Sequence, residues 1–395
     1  MTAPRLLLLD HCAALGGAEL YLLDVARAYR LQASVLLFED GPFADRLRDE
    51  GIDVTCLRTP AALRAVRKNG SVGEALRAVP AVARLVGQAL RRARHADILF
   101  ANSQKSLLVG AIASLLTRRP LIWNLHDLLT ADHFTPLNRR IAVGCANLAA
   151  SHVIANSQAT LAAFRESGGR TPASVVYNGL DPARFQQVDP AAPLALRADL
   201  GVGDAPLVGV FSRLAEWKGQ HVLLDALANR PGVHALLVGD ALFEGDHAYA
   251  TRLHRIVAAH GLDDRVHFLG FRDDVPALMK ACDVVAHTST TPEPFGRVIV
   301  EGMLAERPVI ATRAGGATEI LSDGVTGHLV PPGDASALGR ALDVLLADPA
   351  TTMEMGRHAA IEAARRFSLP QQIHGIARVL HRAAPDLSPA SIPKT

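Results

Sequence analysis

Short runs of aliphatic residues, each closed by Gly, Asp, Asn or Pro, alternate along the chain with longer Ala-, Leu- and Arg-rich stretches whose apolar positions recur at helical spacing. In the first half the runs are Arg5–Leu9, Ser34–Phe38, Val54–Leu57, Ile98–Ala101, Leu121–Leu125, Val153–Ala155 and Val175–Tyr177. The second half repeats the pattern with Leu207–Phe211, Ala235–Val238, Val266–Leu269, Val284–His287, Val309–Thr312 and His328–Val330. Strands that are apolar at successive positions, and not at every second one, are buried on both faces, the condition of parallel sheets covered by helices. Two successive strand–helix series predict an α/β protein of two Rossmann-like, doubly wound parallel-sheet domains. The turn Tyr177–Asp181, followed by Pro182, Pro190 and Pro193, marks the join. We expect a first domain at 1–185, a second at 186–375 whose last helix is a candidate to return to the first, and a poorly ordered tail at 376–395. Ligands of open parallel sheets bind outside the carboxyl ends of the strands. Two such domains facing across a cleft would therefore carry their chemistry in the loops after strands.

Composition narrows the class. With 395 residues, a net charge of +2 and 49% hydrophobic residues, the chain is globular, and a large nucleic-acid surface is not expected. Cys12, Cys56, Cys145 and Cys282 have neither metal-ligand nor disulfide-framework spacing, and are expected to be small buried residues of a reducing compartment. The run Leu6–Leu9 is closed by Asp10 and His11 without a cleavage site, so it predicts a first strand and not a secretory leader. Leu107–Leu116 is the most membrane-like window and is far shorter than the roughly 18–20 residues that span a bilayer. A cytoplasmic protein is expected, at most attached to the inner face of a membrane. Near-neutrality also hides a local imbalance: Arg64, Arg67, Lys68, Arg77, Arg84, Arg91, Arg92 and Arg94 face a single acid, Glu74. This basic amphipathic stretch either offers anionic lipid a surface or is a solvated helix face packed on the first sheet.

Four segments carry candidate chemistry. In Glu293-Pro294-Phe295-Gly296-Arg297-Val298-Ile299-Val300-Glu301, prolines hold the first carboxylate in a loop, while Gly296 to Glu306 has helical spacing and brings Glu301 one to two turns inside. The amides of Phe295, Gly296 and Arg297 open that helix, and the unit suits a sugar attached to phosphate. After Leu207–Phe211 come Arg213 and Lys218, which either converge on a pyrophosphate or are surface cations beside Glu216 and Asp225. After the first strand, Gly16 and Gly17 form either a phosphate-approach turn or a purely structural one, and Gly315-Gly316 is a comparable turn. The chain's only G-x-G precedes a strand, which removes the main support for a nicotinamide dinucleotide. His126 ends a buried first-half strand, where a titratable imidazole is a candidate to act on a ligand.

With these residues in order, and with Val153-Ile154-Ala155-Asn156-Ser157, Asn178-Gly179-Leu180-Asp181, Val238-Gly239-Asp240 and His267-Phe268-Leu269-Gly270 between them, nearly the whole chain resembles a family 4 glycosyltransferase (glycosyltransferase group 1). That family consists of retaining nucleotide-sugar enzymes with the two-Rossmann GT-B architecture. The resemblance implies that Arg213 and Lys218 hold the donor diphosphate without a metal or cofactor, that Glu293 accepts from the transferred hexose, and that Glu301 accepts from the ribose. It further implies donor contacts at Gly16, Gly17, Gly239, Leu269, Phe271, Phe295, Gly296 and Arg297, and a catalytic role for His126 near the reacting carbon. Asn102, Lys105 and Asp127 lie in first-domain loops on the acceptor side. The donor would be a UDP- or GDP-sugar, and the acceptor a saccharide, a lipid-linked molecule or a small molecule, as in polysaccharide biosynthesis. Trp217 and Arg297 occupy positions that vary in the family, and are expected to bear on specificity. A nucleotide-sugar epimerase and a non-catalytic binding protein are the competing expectations.

Overall fold

The computed structural model describes residues 4–57, 72–131, 134–242 and 244–385. The chain forms two compact units, one running to Gly179 and resuming at Leu369, the other spanning Leu180–Ser368.

The first unit is built on seven strands: β1 (Leu6–Asp10), β2 (Ala33–Leu37), β3 (Asp53–Cys56), β4 (Ile98–Ala101), β5 (Leu121–Leu125), β6 (Ala150–Ala155) and β7 (Ala173–Val175). They pair in parallel in the order β3-β2-β1-β4-β5-β6-β7. Leu6 to Leu9 are all buried, and their side chains divide between two apolar layers: Leu6 and Leu8 join Tyr21, Leu22 and Val25, while Leu7 and Leu9 join Leu99, Leu107 and Trp123. This two-sided burial is why the strand reads as a continuous aliphatic run. β7 ends two residues before the expected Tyr177, because its partner β6 ends at Ala155: Ala155 pairs with Val175, and Val176 then donates to Ala155 O at 2.9 Å.

The second unit has β8 (Leu207–Phe211), β9 (His234–Val238), β10 (Val266–Gly270), β11 (Val284–His287), β12 (Val309–Thr312) and β13 (Gly327–Val330), in the parallel order β10-β9-β8-β11-β12-β13. In both sheets the strand order therefore reverses beside the first strand, between β1 and β4 and between β8 and β11, with every strand still parallel. Those reversals open crevices at the strand ends. The helix Leu369–Ala383 belongs to the first unit, where Ile373, Ile376, Val379 and Leu380 enter the apolar layer around Leu22 and Val25. Residues 376–383 of the expected tail thus lie in this helix, and 386–395 fall outside the described residues.

Of the cysteines, only Cys282 is buried; Cys12, Cys56 and Cys145 are partly exposed, and all four are unpaired. The expectation of four buried residues holds for one, because the other three lie at or beyond the ends of secondary-structure elements or on a partly solvated helix face. Arg64, Arg67 and Lys68 lie outside the described residues, and the remaining members of the basic stretch fall on or just after the helix Val72–Ala93.

Candidate functional site

The reversal between β8 and β11 gathers the second unit's chemistry. Beyond β8, Ser212 and Arg213 lead into a single 3-10 turn, Glu216–Lys218, and then to Gly219 at φ +68°. Fully buried Gln220 anchors this loop, its Nε2 donating to Ser212 Oγ and Arg213 O, both at 2.9 Å. From β11, Thr288 Oγ1 donates to Lys218 O at 2.8 Å and the Thr290 amide to Trp217 O at 2.8 Å. The two loops are thereby stitched together, and Lys218 Nζ comes to 2.7 Å from Glu293 Oε1 across 75 residues of sequence.

Glu293 is 7% exposed. Its Oε1 accepts from Lys218 Nζ, from His287 Nε2 at 2.9 Å and from Ser289 Oγ. Burial alone would raise its pKa, but the Lys218 charge and the His287 contact prevail and hold it well below the usual carboxylate range. Because all three donors meet Oε1, Oε2 is the oxygen left to receive a ligand hydroxyl. Thr312 Oγ1, at the end of β12, lies 3.4 Å from His287 Nδ1, and a proton donated there leaves Nε2–H aimed at Glu293. His287 is thus a positioning residue that appeared in the sequence only as the end of a strand. His287→Leu should lower kcat about 10- to 100-fold with little change in KM, as expected for losing a buried hydrogen bond to a charged group. His287→Gln, which keeps a donor near Nε2, should stay within about threefold. Steady-state kinetics of the pair checks this, and equal losses would remove the hydrogen bond from the account.

The helix Arg297–Leu304 starts one residue later than the spacing suggests, because Gly296 at φ +98° is its cap. It ends at Leu304, short of the expected Glu306, which itself has φ +60°. Glu301 Oε1 lies 3.7 Å from Arg297 Nη2, and Arg297 Nη1 is buried with no hydrogen-bond partner among the described residues. Phe295 is buried edge-on against Phe367. Gly315-Gly316 is not an open phosphate turn: the Glu293–Phe295 backbone fills the space above it, with Gly316 N donating to Glu293 O at 2.9 Å. A Cβ on Gly316 would stand 2.6 Å from Phe295 Cα. Arg213 lies 3.5 Å from Asp246 through Nε, and the Trp217 ring contacts both cations, with Arg213 at 5.9 Å and Lys218 at 4.2 Å. Trp217 therefore supports the two charges expected to act, which its place in the sequence alone did not reveal. Gly239, at φ +134°, packs on the Ser212 carbonyl and donates to Gly270 O at 2.8 Å. Leu269 lies in β10, and Phe271 is exposed.

In the first unit the corresponding reversal holds a buried polar chain. Asn102 Nδ2 donates to Asp10 Oδ2 at 2.6 Å and to Ala18 O at 3.1 Å, while its Oδ1 lies 2.9 Å from Asn124 Nδ2 and 2.8 Å from His126 Nε2. The Tyr21 ring meets the imidazole edge-on. Asn102, expected on the acceptor side, is 1% exposed, with its polar atoms engaged by Asp10, Ala18, Asn124 and His126. Lys105 is exposed in the first turn of the helix Gln104–Thr117, and Asp127 is half-buried after His126. Gly16 caps the helix Gly17–Ala28, and the Glu19 carboxylate lies against it, 2.7 Å from where a Cβ would stand. Burial, with Asp10 nearby, raises the Glu19 pKa. An anion drawn to the Gly16 turn has to displace that carboxylate.

Two family models match the chain: a glycosyl transferase 4-like domain over residues 16–179 and glycosyl transferases group 1 over residues 195–367. Crystal structures of Anabaena HepE, one in complex with UDP and glucose and another with UDP-glucose, are 45% identical and cover 95% of this chain and 99% of theirs, at TM-scores of 0.87 and 0.86. A D-inositol 3-phosphate glycosyltransferase of Mycolicibacterium vanbaalenii is 31% identical over 326 residues, 76% of this chain and 70% of that protein. The lipopolysaccharide core biosynthesis glycosyltransferase LpsE of Rhizobium meliloti is 33% identical over 197 residues, 50% of this chain and 54% of LpsE, so the match spans about half of that relative.

Proposed function

The chain belongs to the group 1, family 4-like glycosyltransferases, and from that premise we propose that it moves a hexose from a uridine diphosphate sugar to a saccharide or lipid-linked acceptor with retention of anomeric configuration. The observation that carries the donor half of this reading is the convergence of Lys218, Glu293, His287 and Ser289 at the β8/β11 reversal. UDP and UDP-glucose in the HepE complexes favour uridine over guanosine and make glucose the first sugar to try.

In this reading Lys218 keeps one donor on Glu293 and turns its others, with the Arg213 guanidinium, to the diphosphate. These charges stabilise the departing nucleotide, so no metal ion is required. Glu293 Oε2 accepts from the transferred hexose and Glu301 from the ribose. Arg297 Nη1 supplies a donor already stripped of water. Gly239, Leu269 and Phe271 meet the nucleotide, and Phe295 and Gly296 the sugar-phosphate. The acceptor oxygen attacks the anomeric carbon from the face the diphosphate leaves, the bond from that carbon to the phosphate oxygen breaks, and the acceptor proton passes to the departing phosphate. Four unpaired cysteines favour the cytoplasm as the compartment, and a lipid-linked acceptor would draw the enzyme to the inner face of the membrane.

Ligands that bind the folded state stabilise it by mass action, about 2.7 kcal/mol at 100 times Kd. UDP and UDP-glucose should raise the unfolding midpoint, GDP and GDP-mannose should not, and incubation of UDP-glucose with a glycolipid extract should yield UDP and a glycosylated product. EDTA should leave the rate within about twofold. A rise with GDP alone would overturn the uridine assignment. Tight binding of UDP-glucose with no transfer would overturn catalysis, and a strict Mn²⁺ or Mg²⁺ requirement would overturn the Arg213/Lys218 account.

A further inference from the structure

At the amino ends of β8, β11 and β12, within the second unit, lies a cavity of about 550 Å³. The four residues of β11 separate it from His287 by about 13 Å, so it stands at the other end of the strands from Lys218 and Glu293. Part of its wall is the segment after the join, where Pro190 and Pro193 precede Leu194, which is 70% exposed. The prolines that mark the domain boundary in the sequence thus also stiffen a cavity wall. The charged part of the lining sets three cations, Arg197, Lys280 and Arg307, against Asp204 and Asp283. Arg197 fixes the shape: Nε donates to Gly203 O at 2.9 Å, Nη1 to Ala281 O at 2.7 Å and Nη2 to Ala205 O at 2.6 Å. These bonds tie the loop before β8 to the loop before β11, and the cavity is formed before any ligand arrives, as ligand sites usually are.

The other two cations are left without an anion. Asp283 Oδ2 already lies 3.2 Å from Arg197 Nη1 and accepts from the Leu207 amide at 2.7 Å. Arg307 donates from Nη2 to Lys280 O at 2.8 Å, while its Nε is buried with no hydrogen-bond partner among the described residues. Burial pulls the Arg307 pKa below the ordinary arginine value, and the Asp283 charge only partly opposes it. Neither Lys280 nor exposed Asp204 forms an ion pair among the described residues. A guanidinium kept only to hold one main-chain oxygen does not need a dry, unpaired Nε, because a charged donor is costly to bury with its bond unmade. An oxyanion bearing two charges supplies what is missing, with a planar donor group from Arg307 and a point charge from Lys280. We propose that this cavity binds a small dianion, a phosphate or a dicarboxylate, between Arg307 and Lys280, with the remainder of the ligand along Pro193 and Leu194. The proposal does not rest on the sugar-transfer reading, since it uses none of the residues placed in that site.

The test is the unfolding midpoint of the full-length protein in sodium phosphate, sodium malonate and sodium chloride at one pH and ionic strength, without a nucleotide sugar. At about ten times Kd the bound dianion should raise the midpoint by about 3–6 °C over chloride. A rise with phosphate alone places the ligand among phosphates, and a rise with malonate alone among dicarboxylates. Lys280→Gln, which leaves every main-chain bond in place, should remove at least half of the rise, and Arg307→Gln all of it. Each variant is referred to its own midpoint in chloride, and Lys280→Gln is the one to use if Arg307→Gln does not fold. Lys218→Ala should keep the full rise, because only an anion bound beside Glu293 would be lost there. No rise over chloride, a rise undiminished in both cavity variants, or a rise abolished by Lys218→Ala overturns the proposal. Since the midpoint is read without turnover, its failure leaves the sugar-transfer reading untouched, and the converse also holds.

Discussion

Lys218→Ala is expected to lower kcat/KM about 10³-fold while the protein stays folded. Nζ is held 2.7 Å from Glu293 Oε1 and 4.2 Å from the centre of the Trp217 ring, so its position is set before any ligand arrives. A preorganised donor aimed at developing charge costs no reorganisation in the reaction, and removing one typically costs 10²- to 10³-fold. The upper end applies because Lys218 also neutralises the buried carboxylate proposed to receive the sugar. The fold should survive, since His287 and Ser289 still donate to Glu293 and the Thr288 and Thr290 bonds engage only the loop's main-chain oxygens. Lys218→Arg keeps the charge but not its reach, and should recover only part of the rate. Nucleotide release followed beside the thermal midpoint checks this, and a Lys218→Ala rate within about threefold of the native one would remove Lys218 from the site.

The strands were legible because two-sided burial writes itself into the chain as continuous aliphatic runs, and all thirteen expected runs lie in or against a strand of the two sheets. The exception in detail, β7, is instructive: Val175-Val176-Tyr177 has strand composition, but pairing stops where Ala155 ends the neighbour, a fact of the sheet and not of the segment. Lys218 and Glu293 were each visible as local motifs. Their pairing was not, since it depends on β8 lying beside β11, and strand order has no trace in sequence spacing. His287 was hidden for a related reason. A histidine closing a buried strand looks like any strand end until Glu293 arrives at its Nε2 and Thr312 at its Nδ1. Asn102 shows another kind of hidden pairing: it reads as a polar residue after a strand, and its amide's bonds to buried Asp10 and to His126 exist only because β1, β4 and β5 lie side by side.

Gly219→Ala should destabilise the second unit by about 3–4 kcal/mol and abolish most activity, although the residue carries no functional group. Two effects add. At φ +68° an alanine bears left-handed strain of about 1–2 kcal/mol. Its Cβ would also stand 2.1 Å from the Thr288 carbonyl oxygen, so one loop must move away from the other. That movement breaks the Thr288 Oγ1 bond to Lys218 O and the Thr290 N bond to Trp217 O, each worth about 1 kcal/mol, and it draws Lys218 away from Glu293. Gly261→Ala separates the two effects. Gly261 has nearly the same φ, +61°, but nothing lies within 4 Å of its Cβ position, so the substitution carries the strain alone. At about 2–4 °C per kcal/mol, Gly261→Ala should lower the unfolding midpoint by roughly 2–8 °C with activity intact, and Gly219→Ala by roughly 6–16 °C with activity lost. Calorimetry and turnover of the two variants side by side decide the matter. If Gly219→Ala behaves like Gly261→Ala, the close approach of the two loops is not what holds Lys218 against Glu293.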